Sequence, residues 1–403
     1  MNRRAFVKNT LITAPMCRDN FWRTAVADVP SDLRVTRIVG FILPSRRPKL
    51  VGKNSRKGVH GDSARDRLIR IYTNHGVEGL GTCNANKNDV GKLLGTNPFK
   101  LFDADRRRML GPLGVGTMPL WDLAGKVLNR PAFELLGGKG DEHVPAYDGS
   151  IYFSDLLPQY AARWPDRFKQ EIDMGLAAGH RGFKVKVGRG GRWMKRGEGD
   201  RRDIQVIRLI RKHAGDDVLI GVDANNGYDL AGAKKFLTSV ADEQLAFAEE
   251  MFPETVEHCL EFKQHIRSLR SKTLLADGES HREPSTFKPY IAAKAMDVLQ
   301  GDMKRFGFEG ILTEAEMAGP NDIRVAPHNW GSLLGYYMQL HIGRAIDNFY
   351  MAERDPLSTK LLIAEGYALK DGMATVPASP GFGLKINEGK FKQQIKPMFD
   401  LTI

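Results

Sequence analysis

The chain has 403 residues, with 42% hydrophobic and 27% charged side chains, and 60 Lys and Arg against 48 Asp and Glu give a formal net charge of +12. This length favours two domains, the composition excludes a disordered or fibrous chain, and no apolar run approaches the roughly 18 to 20 residues that a membrane-spanning helix needs. The basic excess is compatible with nucleic acid, an anionic membrane surface or a small acidic substrate, and composition alone does not choose among them.

Residues 1–30 are predicted to be an N-terminal extension outside the folded domains. Arg3 and Arg4 resemble a twin-arginine export signal, but the apolar stretch that follows is short and is interrupted by Pro15. We therefore expect a cytoplasmic protein, with periplasmic twin-arginine export as the alternative. The three cysteines are widely spaced, so they predict neither a disulfide framework nor a zinc site.

Residues 31–143 are predicted to form an α+β domain. Strand signals occupy about 34 to 81, and the pattern over 98–136 favours helices. Between the first two strands the stretch Pro44–Asp62 is rich in Pro, Gly, Lys and Arg, which predicts a long polar loop. We expect this loop and the segment after residue 365 to close over the second domain and to set specificity.

Residues 144–360 are predicted to form a second domain of repeated strand–helix units. Eight short apolar runs recur, each followed by a helical stretch, at spacings of roughly 25 to 40 residues. The runs are Val144–Tyr147, Gly182–Val187, Val218–Val222, Leu245–Ala248, Thr273–Ala276, Met296–Leu299, Ile323–Ala326 and Phe349–Ala352. Their number and spacing favour a closed parallel barrel over an open doubly wound sheet, and such barrels carry their chemistry at the strand C-termini.

Polar side chains follow these runs. They are Lys184, Lys186, Asp223, Asn225, Glu249 or Glu250, Glu279, Asp302, His328 and Glu353. Three carboxylates at successive strand ends, Asp223, Glu249 and Glu279, would repel one another unless a cation lies among them. Oxygen ligands without Cys or His favour Mg²⁺, so we expect one magnesium ion per subunit.

Two further strand ends carry candidate bases. Partial burial and a nearby cation would lower the pKa of Lys186 and allow it to act as a base, the alternative being a lysine in a salt bridge to the same carboxylates. His328 and Asp302 end neighbouring strands on the other side of the barrel. A carboxylate that accepts from one imidazole nitrogen raises the basicity of the other, so this pair predicts a general base.

This constellation resembles the mandelate racemase subgroup of the enolase superfamily, from about residue 34 to 390. The motifs that carry the resemblance are Lys184-Val185-Lys186, Asp223-Ala224-Asn225, Glu249-Glu250, Asp277-Gly278-Glu279, Asp302 with His328, Glu353, Trp121-Asp122-Leu123-Ala124-Gly125-Lys126 and Pro380-Gly381-Phe382-Gly383-Leu384. The resemblance implies a modified TIM barrel, (β/α)7β, with an α+β N-terminal capping domain completed by the C-terminal segment 361–403. It also implies that Asp223, Glu249 and Glu279 bind Mg²⁺.

The resemblance further assigns roles around the substrate. Lys186 and the His328/Asp302 pair would face opposite sides of its α-carbon. Glu353 would hydrogen-bond the enolate-like oxygen, and Lys184 would help to neutralise the carboxylate.

The sequence departs from the usual pattern of that subgroup in three places, one of which is Gly301 before Asp302, where a proline is common. Met251 and Phe252 separate the Glu249-Glu250 pair from Pro253, which leaves Glu250 as an alternative metal ligand to Glu249. The basic stretch 188–199 lengthens the loop after the second barrel strand. It is either a solvated loop or a substrate contact, and it lacks the ending of a phosphate-binding P-loop.

The expected common step is removal of the proton α to a carboxylate, which requires stabilisation of the enediolate. Dehydration of a sugar acid to a 2-keto-3-deoxy acid is favoured because the expected rim is polar, with Arg47, His60, Asn225 and Asn329 as substrate-binding candidates. A racemase, epimerase or cycloisomerase is the alternative, and a non-catalytic polyanion-binding protein is a remote one. The expected partner is a small carboxylate, with neither nucleic acid nor membrane bound, in a homo-oligomer.

Overall fold

The computed structural model describes residues 29–103 and 106–403. The segment that resembles a twin-arginine signal, and Cys17, lie outside these residues. No helix within the described ranges is long and apolar enough to cross a membrane. Cys83 and Cys259 are buried and are not part of a disulfide.

The elements fall into three groups along the chain. The N-terminal elements are β1 (Val35–Val51), β2 (Gly61–Thr73), β3 (Glu78–Thr82), α1 (Lys87–Gly91), β4 (Phe102–Asp103), β5 (Arg108–Met109), α2 (Met118–Val127) and α3 (Ala132–Leu136). The central elements are β6 (His143–Ile151), α4 (Pro158–Ala161), α5 (Trp164–Ala177), β7 (Gly182–Lys186), α6 (Arg196–Ala214), β8 (Leu219–Asp223), α7 (Leu230–Ser239), β9 (Phe247–Glu249), α8 (Val256–Ser268), β10 (Leu274–Asp277), α9 (Lys288–Ala292), β11 (Val298–Leu299), α10 (Met303–Ala318), β12 (Arg324–Val325), α11 (Leu333–Ala345) and β13 (Ala352–Arg354). The C-terminal elements are β14 (Leu362–Ile363), β15 (Ala368–Lys370), β16 (Met373–Thr375), β17 (Lys385–Ile386), α12 (Glu388–Gln394) and β18 (Phe399–Thr402).

The N-terminal sheet corrects one prediction. The stretch Pro44–Asp62 is not one long loop, because β1 runs to Val51 and pairs with β2 in antiparallel fashion. Buried and exposed side chains alternate along the end of β1, as is typical of a strand. The composition is misleading because the buried positions include Arg47 and Lys49, whose charges are compensated by carboxylates far along the chain, at 2.6 Å and 2.7 Å.

The central strands form a parallel series in the order β6-β7-β8-β9-β10-β11-β12, and all eight predicted apolar runs overlap a strand. Segment 348–354 joins the two ends of the series. Val325 N donates to the carbonyl oxygen of Asn348 at 2.9 Å, and Tyr350 N donates to that of Val325 at 2.8 Å. Beyond this point β13 pairs in parallel with β6, so the hydrogen bonding continues around a ring.

A separate cluster of buried side chains occupies the interior of this ring. Its members are Tyr147, Phe247, Ala276, Val298, Ala326 and Met351. Large and small residues alternate in this cluster and around it. A Cβ atom at Gly221 would lie 2.2 Å from the Phe247 ring, so β8 needs a glycine at this position. The layer closes the ring below the polar strand ends, which makes the mouth a pocket and not a pore.

The C-terminal segment contacts both parts of the molecule. β16 pairs in antiparallel fashion with β6, and β18 adds to the N-terminal sheet beside β1, giving the order β18-β1-β2-β3. The N-terminal sheet and the strand ring are thereby tied together by residues far apart in sequence. The limits of the two domains stay predictions.

Candidate active site

Lys184 lies among carboxylates below the mouth. Its Nζ atom is 2.6 Å from Oε1 of Glu249, 2.8 Å from Oε1 of Glu353 and 3.3 Å from Oδ2 of Asp223. Burial by itself would lower the pKa of Lys184, but these facing carboxylates outweigh it and hold the pKa well above its usual value. Lys184 is therefore a fixed positive charge suited to neutralising an anion.

Lys186 lies one strand layer nearer the opening, and its surroundings differ. It is 3% exposed, and its ammonium group donates to Oδ2 of Asp223. The Nζ atom also lies 5.0 Å from the centre of the Tyr152 ring. Asp223 is the only carboxylate paired with Lys186 in the described part of the chain, so this lysine is less constrained than Lys184.

The acidic cluster contains four carboxylates. Asp223 and Glu249 are register partners on β8 and β9. Glu249 accepts from Lys184 with one oxygen and from Nε2 of Gln300, at 2.7 Å, with the other. Burial raises the pKa of Glu249 well above its usual value, and the neighbouring Asp223 raises it further.

Glu250 and Glu279 form the outer part of the cluster. Glu250 has φ of +42°, in the left-handed region, and its oxygens accept from Asn225 at 2.9 Å, Arg56 at 3.0 Å and Ser280 at 3.1 Å. Arg56 also lies 3.6 Å from Glu279. Burial, then Glu279 and Asp223, raise the pKa of Glu250 to about 8.

The donor set suits a hard divalent cation, since it consists of carboxylate oxygens whose mutual repulsion such an ion would relieve. Within residues 29–103 and 106–403, no three acidic, His or Cys side chains already surround one point that could hold a metal ion. The negative charge of the acidic cluster is instead compensated by Lys184, Lys186 and Arg56. The carboxylate donors of the cluster therefore fit Mg²⁺. Either Glu249 or Glu250 could be the third ligand beside Asp223 and Glu279.

The histidine–aspartate pair is formed as expected. Nδ1 of His328 lies 2.6 Å from Oδ2 of Asp302. The other oxygen of Asp302 caps α10, accepting from the backbone N of Lys304 at 2.9 Å and of Arg305 at 3.0 Å, so the carboxylate is held from both sides. Nε2 of His328 points to Oε2 of Glu279 at 3.0 Å, which brings the pair to the acidic cluster.

The charges around His328 favour its protonated form in this arrangement. Burial would lower the pKa of the imidazole, but Glu279 and Asp302 raise it to about 10. Because Nδ1 is held by Asp302, Nε2 is the nitrogen available for proton transfer.

Glu353, Asn329 and Asn225 complete the polar lining. Oε2 of Glu353 accepts from the backbone N of Asn329 at 2.9 Å, and its other oxygen contacts Lys184. Asn225 and Asn329 are 3% and 1% exposed, and the side-chain carbonyl oxygen of each has no hydrogen-bond partner among the described residues. Both oxygens are buried, and that of Asn329 is turned towards Gly335 on α11, so the two amides are part of the packed lining.

The predicted substrate contacts Arg47 and His60 are brought to the same side of the mouth. The Arg47 guanidinium makes a two-point ion pair with Asp355, at 2.7 Å and 2.6 Å, and lies 4.6 Å from the Trp330 ring centre. Its hydrogen bonds are therefore already used within the protein. His60 packs against Tyr152, with ring centres 4.7 Å apart.

The basic stretch 188–199 is expected from the sequence to be a solvated loop or a substrate contact. Its first arginine, Arg189, fits neither expectation. Arg189 is fully buried and pairs with Asp155 at 2.8 Å and Asp203 at 2.5 Å, so it is neither solvated nor at the mouth. Further along, the indole Nε1 of Trp193 donates to the carbonyl oxygen of Asn54 at 2.6 Å. The stretch thus supports the connection between β1 and β2.

Sequence reasoning missed Arg56, Tyr152, Gln300 and Trp330. Tyr152 directly follows β6, the one barrel strand without a polar candidate at its end, and this gap in the sequence pattern is a usable signal. Arg56 lies in the β1–β2 connection, which Ser55 anchors by donating to the carbonyl oxygens of Val187 at 3.0 Å and Ala224 at 2.6 Å. No local pattern predicts that docking.

The profile of the family described as enolase C-terminal domain-like matches residues 167–390. A crystal structure of a mutant galacturonate dehydratase from Geobacillus sp., complexed with Mg, has a TM-score of 0.84 and 32% sequence identity, covering 91% of this chain and 97% of that one. The same enzyme complexed with D-galacturonate and 5-keto-4-deoxy-D-galacturonate gives a TM-score of 0.83, again at 32% identity, with 91% of this chain and 97% of that one covered.

Two further relatives differ in activity. D-xylonate dehydratase of Haloferax volcanii is 24% identical, with 79% of this chain and 83% of the relative covered. D-galactarolactone cycloisomerase of Agrobacterium fabrum is 25% identical, with 79% and 88% covered. The solved structures and the ring of parallel strands agree with the predicted barrel.

Proposed function

The chain belongs to the enolase C-terminal domain-like family, and from this premise we propose that it removes the proton α to the carboxylate of an acid sugar and eliminates the β-hydroxyl group as water. The observation that carries the proposal is that Lys186 and the His328/Asp302 pair approach one acidic cluster from different strands, through Asp223 and Glu279. Two proton-transfer groups on either side of an anion site are what α-proton chemistry needs.

Asp223, Glu249 and Glu279 would hold Mg²⁺, the ion present in the Geobacillus structure. When bound, the ion supplies electrostatic stabilisation of the charge that develops on the substrate carboxylate. Lys184 adds to this with a permanent positive charge beside Glu353.

The remaining work belongs to the two proton-transfer groups. Lys186, as the neutral amine, takes the proton from one face of the α-carbon and becomes an ammonium group. His328, whose Nδ1 is held by Asp302, moves a proton at Nε2. In dehydration that proton goes to the departing β-hydroxyl group, and in an epimerisation it goes to the opposite face of the α-carbon.

The two ligands of the Geobacillus enzyme illustrate this chemistry. Its product carries a keto group next to the carboxylate and lacks the hydroxyl group on the following carbon, which is the outcome of losing the α-proton and the β-hydroxyl. The polar mouth of the present chain, where Lys186, Asn225 and His328 lie, suits a polyhydroxylated substrate. We therefore extend the expected substrates from aldonic and aldaric acids to uronic acids.

The test is incubation with Mg²⁺ and a panel of aldonic, aldaric and uronic acids, with detection of keto-deoxy products by mass spectrometry. At least one acid should lose one water molecule. Epimer formation or lactone isomerisation without any keto-deoxy product would instead support the isomerase alternative, which the cycloisomerase relative represents.

Metal binding should distinguish Glu249 from Glu250. We expect Glu249→Gln to weaken Mg²⁺ binding at least tenfold by isothermal titration calorimetry, because the variant lacks a ligand charge. Glu250→Gln should have the smaller effect, because Glu249 is the register partner of Asp223, whereas Glu250 lies beyond the end of β9 and pairs with Arg56. The reverse order would assign Glu250 as the ligand, and circular dichroism of both variants checks that each is folded.

A further inference from the structure

His60 has one ring nitrogen without a partner. Its Nδ1 atom lies 3.0 Å from the indole Nε1 of Trp330, while Nε2 is buried and has no hydrogen-bond partner among the described residues. An indole N–H can only donate, so Nδ1 of His60 has to accept. The imidazole proton is therefore on Nε2, and the ring is neutral.

The orientation of this ring is constrained on all sides. Tyr152 and Trp330 stack on each other with ring centres 4.7 Å apart, and His60 meets them edge-on at 4.7 Å and 5.7 Å. The backbone N of His60 donates to the carbonyl oxygens of Val51 at 3.2 Å and Gly52 at 3.1 Å. Trp330 thus determines the tautomer, and the packing determines where Nε2 lies.

The same aromatic groups face the reacting centre. The Lys186 ammonium lies 5.0 Å from the centre of the Tyr152 ring, and Trp330 follows two residues after His328. His60 is consequently a second residue of the β1–β2 connection, after Arg56, that reaches the barrel mouth, and it lies on the side of the proposed base.

The surrounding charges reinforce the neutral state. Burial is the main cause, and the positive charges of Lys186, Arg47 and Lys57 act in the same direction, so that the pKa of His60 is lowered to about 4. A neutral ring of this kind neither supplies a cation to a carboxylate nor takes part in proton transfer near neutral pH. What it offers is one N–H donor in a fixed place.

We propose that His60 is a specificity-determining residue whose Nε2–H, oriented by Trp330, donates a hydrogen bond to a hydroxyl oxygen of the acid sugar. The inference rests on the proposed function and names the group that this part of the mouth recognises. A buried donor left without an acceptor is unfavourable, so an analogue lacking that hydroxyl group is rejected. His60 contacts the substrate, and Trp330 is a positioning residue that acts through it.

The tautomer is tested first, in the free protein and without any assay of activity. Nitrogen-15 NMR of histidine-labelled protein should show the Nε2-protonated neutral form of His60 between about pH 5.5 and 8. Trp330→Phe removes the indole donor, and we expect a mixture of tautomers in that variant. An Nδ1-protonated or cationic His60 in the wild-type protein would overturn the inference.

Kinetics test the contact. His60→Phe keeps an aromatic ring between Tyr152 and Trp330 but has no donor, and we expect kcat/KM to fall at least tenfold through a higher KM. The loss should disappear with the deoxy analogue of the recognised hydroxyl group, and His60→Gln should recover part of it. The matched control is His75→Phe, at the exposed turn between β2 and β3, which should behave like the wild type.

These experiments distinguish a failure of the role of His60 from a failure of the proposed function. Wild-type kinetics for His60→Phe with every acid that is turned over would contradict the role of His60 alone. Absence of turnover with all acid sugars, in a protein whose His60 shows the expected tautomer, would contradict the proposed function and with it this role.

Discussion

His328→Asn and Lys186→Ala are each expected to lower the dehydration rate by about 10²- to 10⁴-fold, the range typical of a lost general acid or base. Asn at position 328 keeps a polar side chain but has no titratable nitrogen. Ala at position 186 removes the amine and leaves Lys184, at 3.3 Å, as the remaining ammonium partner of Asp223. Steady-state rates with the best acid sugar of the panel measure both effects.

Exchange of the α-proton in D₂O separates the two groups. If Lys186 removes the proton, exchange should be lost in Lys186→Ala and persist in His328→Asn, because the latter variant still forms the carbanion but cannot complete the elimination. Exchange that persists in Lys186→Ala and is lost in His328→Asn would mean that His328, and not Lys186, removes the proton. Exchange in both variants at the wild-type rate would mean that neither group removes the proton, and absence of exchange in the wild-type protein would contradict removal of the α-proton itself.

A matched control is available on the outer surface of the barrel. His213 on α6 also pairs with an aspartate, with Nε2 at 2.7 Å from Oδ1 of Asp173. His213→Asn removes a histidine–aspartate pair of the same kind far from the mouth, so its activity should equal that of the wild type. A comparable loss there would show that the effect of His328→Asn is not specific to the site.

Arg189→Ala is expected to lower the free energy of unfolding by about 3 to 5 kcal/mol, the cost typical of removing one partner of a buried ion pair. The side chains of Arg189, Asp155 and Asp203 are all 0% exposed, so within the described part of the chain the truncation leaves the buried Asp203 without an ion-pair partner and Asp155 with Arg202 alone, at 3.1 Å. Chemical denaturation followed by circular dichroism measures the change.

The control for this prediction is an exposed pair of the same type. Arg163 lies 2.9 Å from Asp166, and the two side chains are 83% and 56% exposed. Arg163→Ala should change the free energy of unfolding by less than about 1 kcal/mol, because solvent screens such pairs. Equal losses in the two variants would mean that burial of the Arg189 network contributes nothing.

The Arg189 network also bears on the site. The backbone N atoms of Gly188 and Arg189 donate to Oδ2 of Asp203, at 2.8 Å and 3.2 Å, immediately after β7 ends at Lys186. The turn that follows the proposed base is therefore held by a buried charge. We read the unusual basic stretch after β7 as support for the position of Lys186.

Local sequence patterns were enough to predict the barrel strands and many of the polar residues at their ends. Apolar runs of strand length, each ending in a polar residue, placed Lys186, Asp223 and His328 at strand ends, and the structure has a strand at every run. This works because parallel strands are buried on both faces, so their apolar runs are continuous and their polar ends stand out. The sequence by itself determined these strands and the acids and bases at their ends.

Only the tertiary structure decided which charges and rings meet. Arg47 and Asp355 are 308 positions apart, and Trp330 and His60 are 270 apart. Whether a basic residue is solvated, buried in an ion pair or turned to the mouth depends on the partner that folding brings to it, because burial of a charge is tolerated only where an opposite charge or a donor meets it. Partners far along the chain therefore allow Arg47 to lie buried in a strand and Arg189 to lie in the interior. In the same way, Trp330 orients His60.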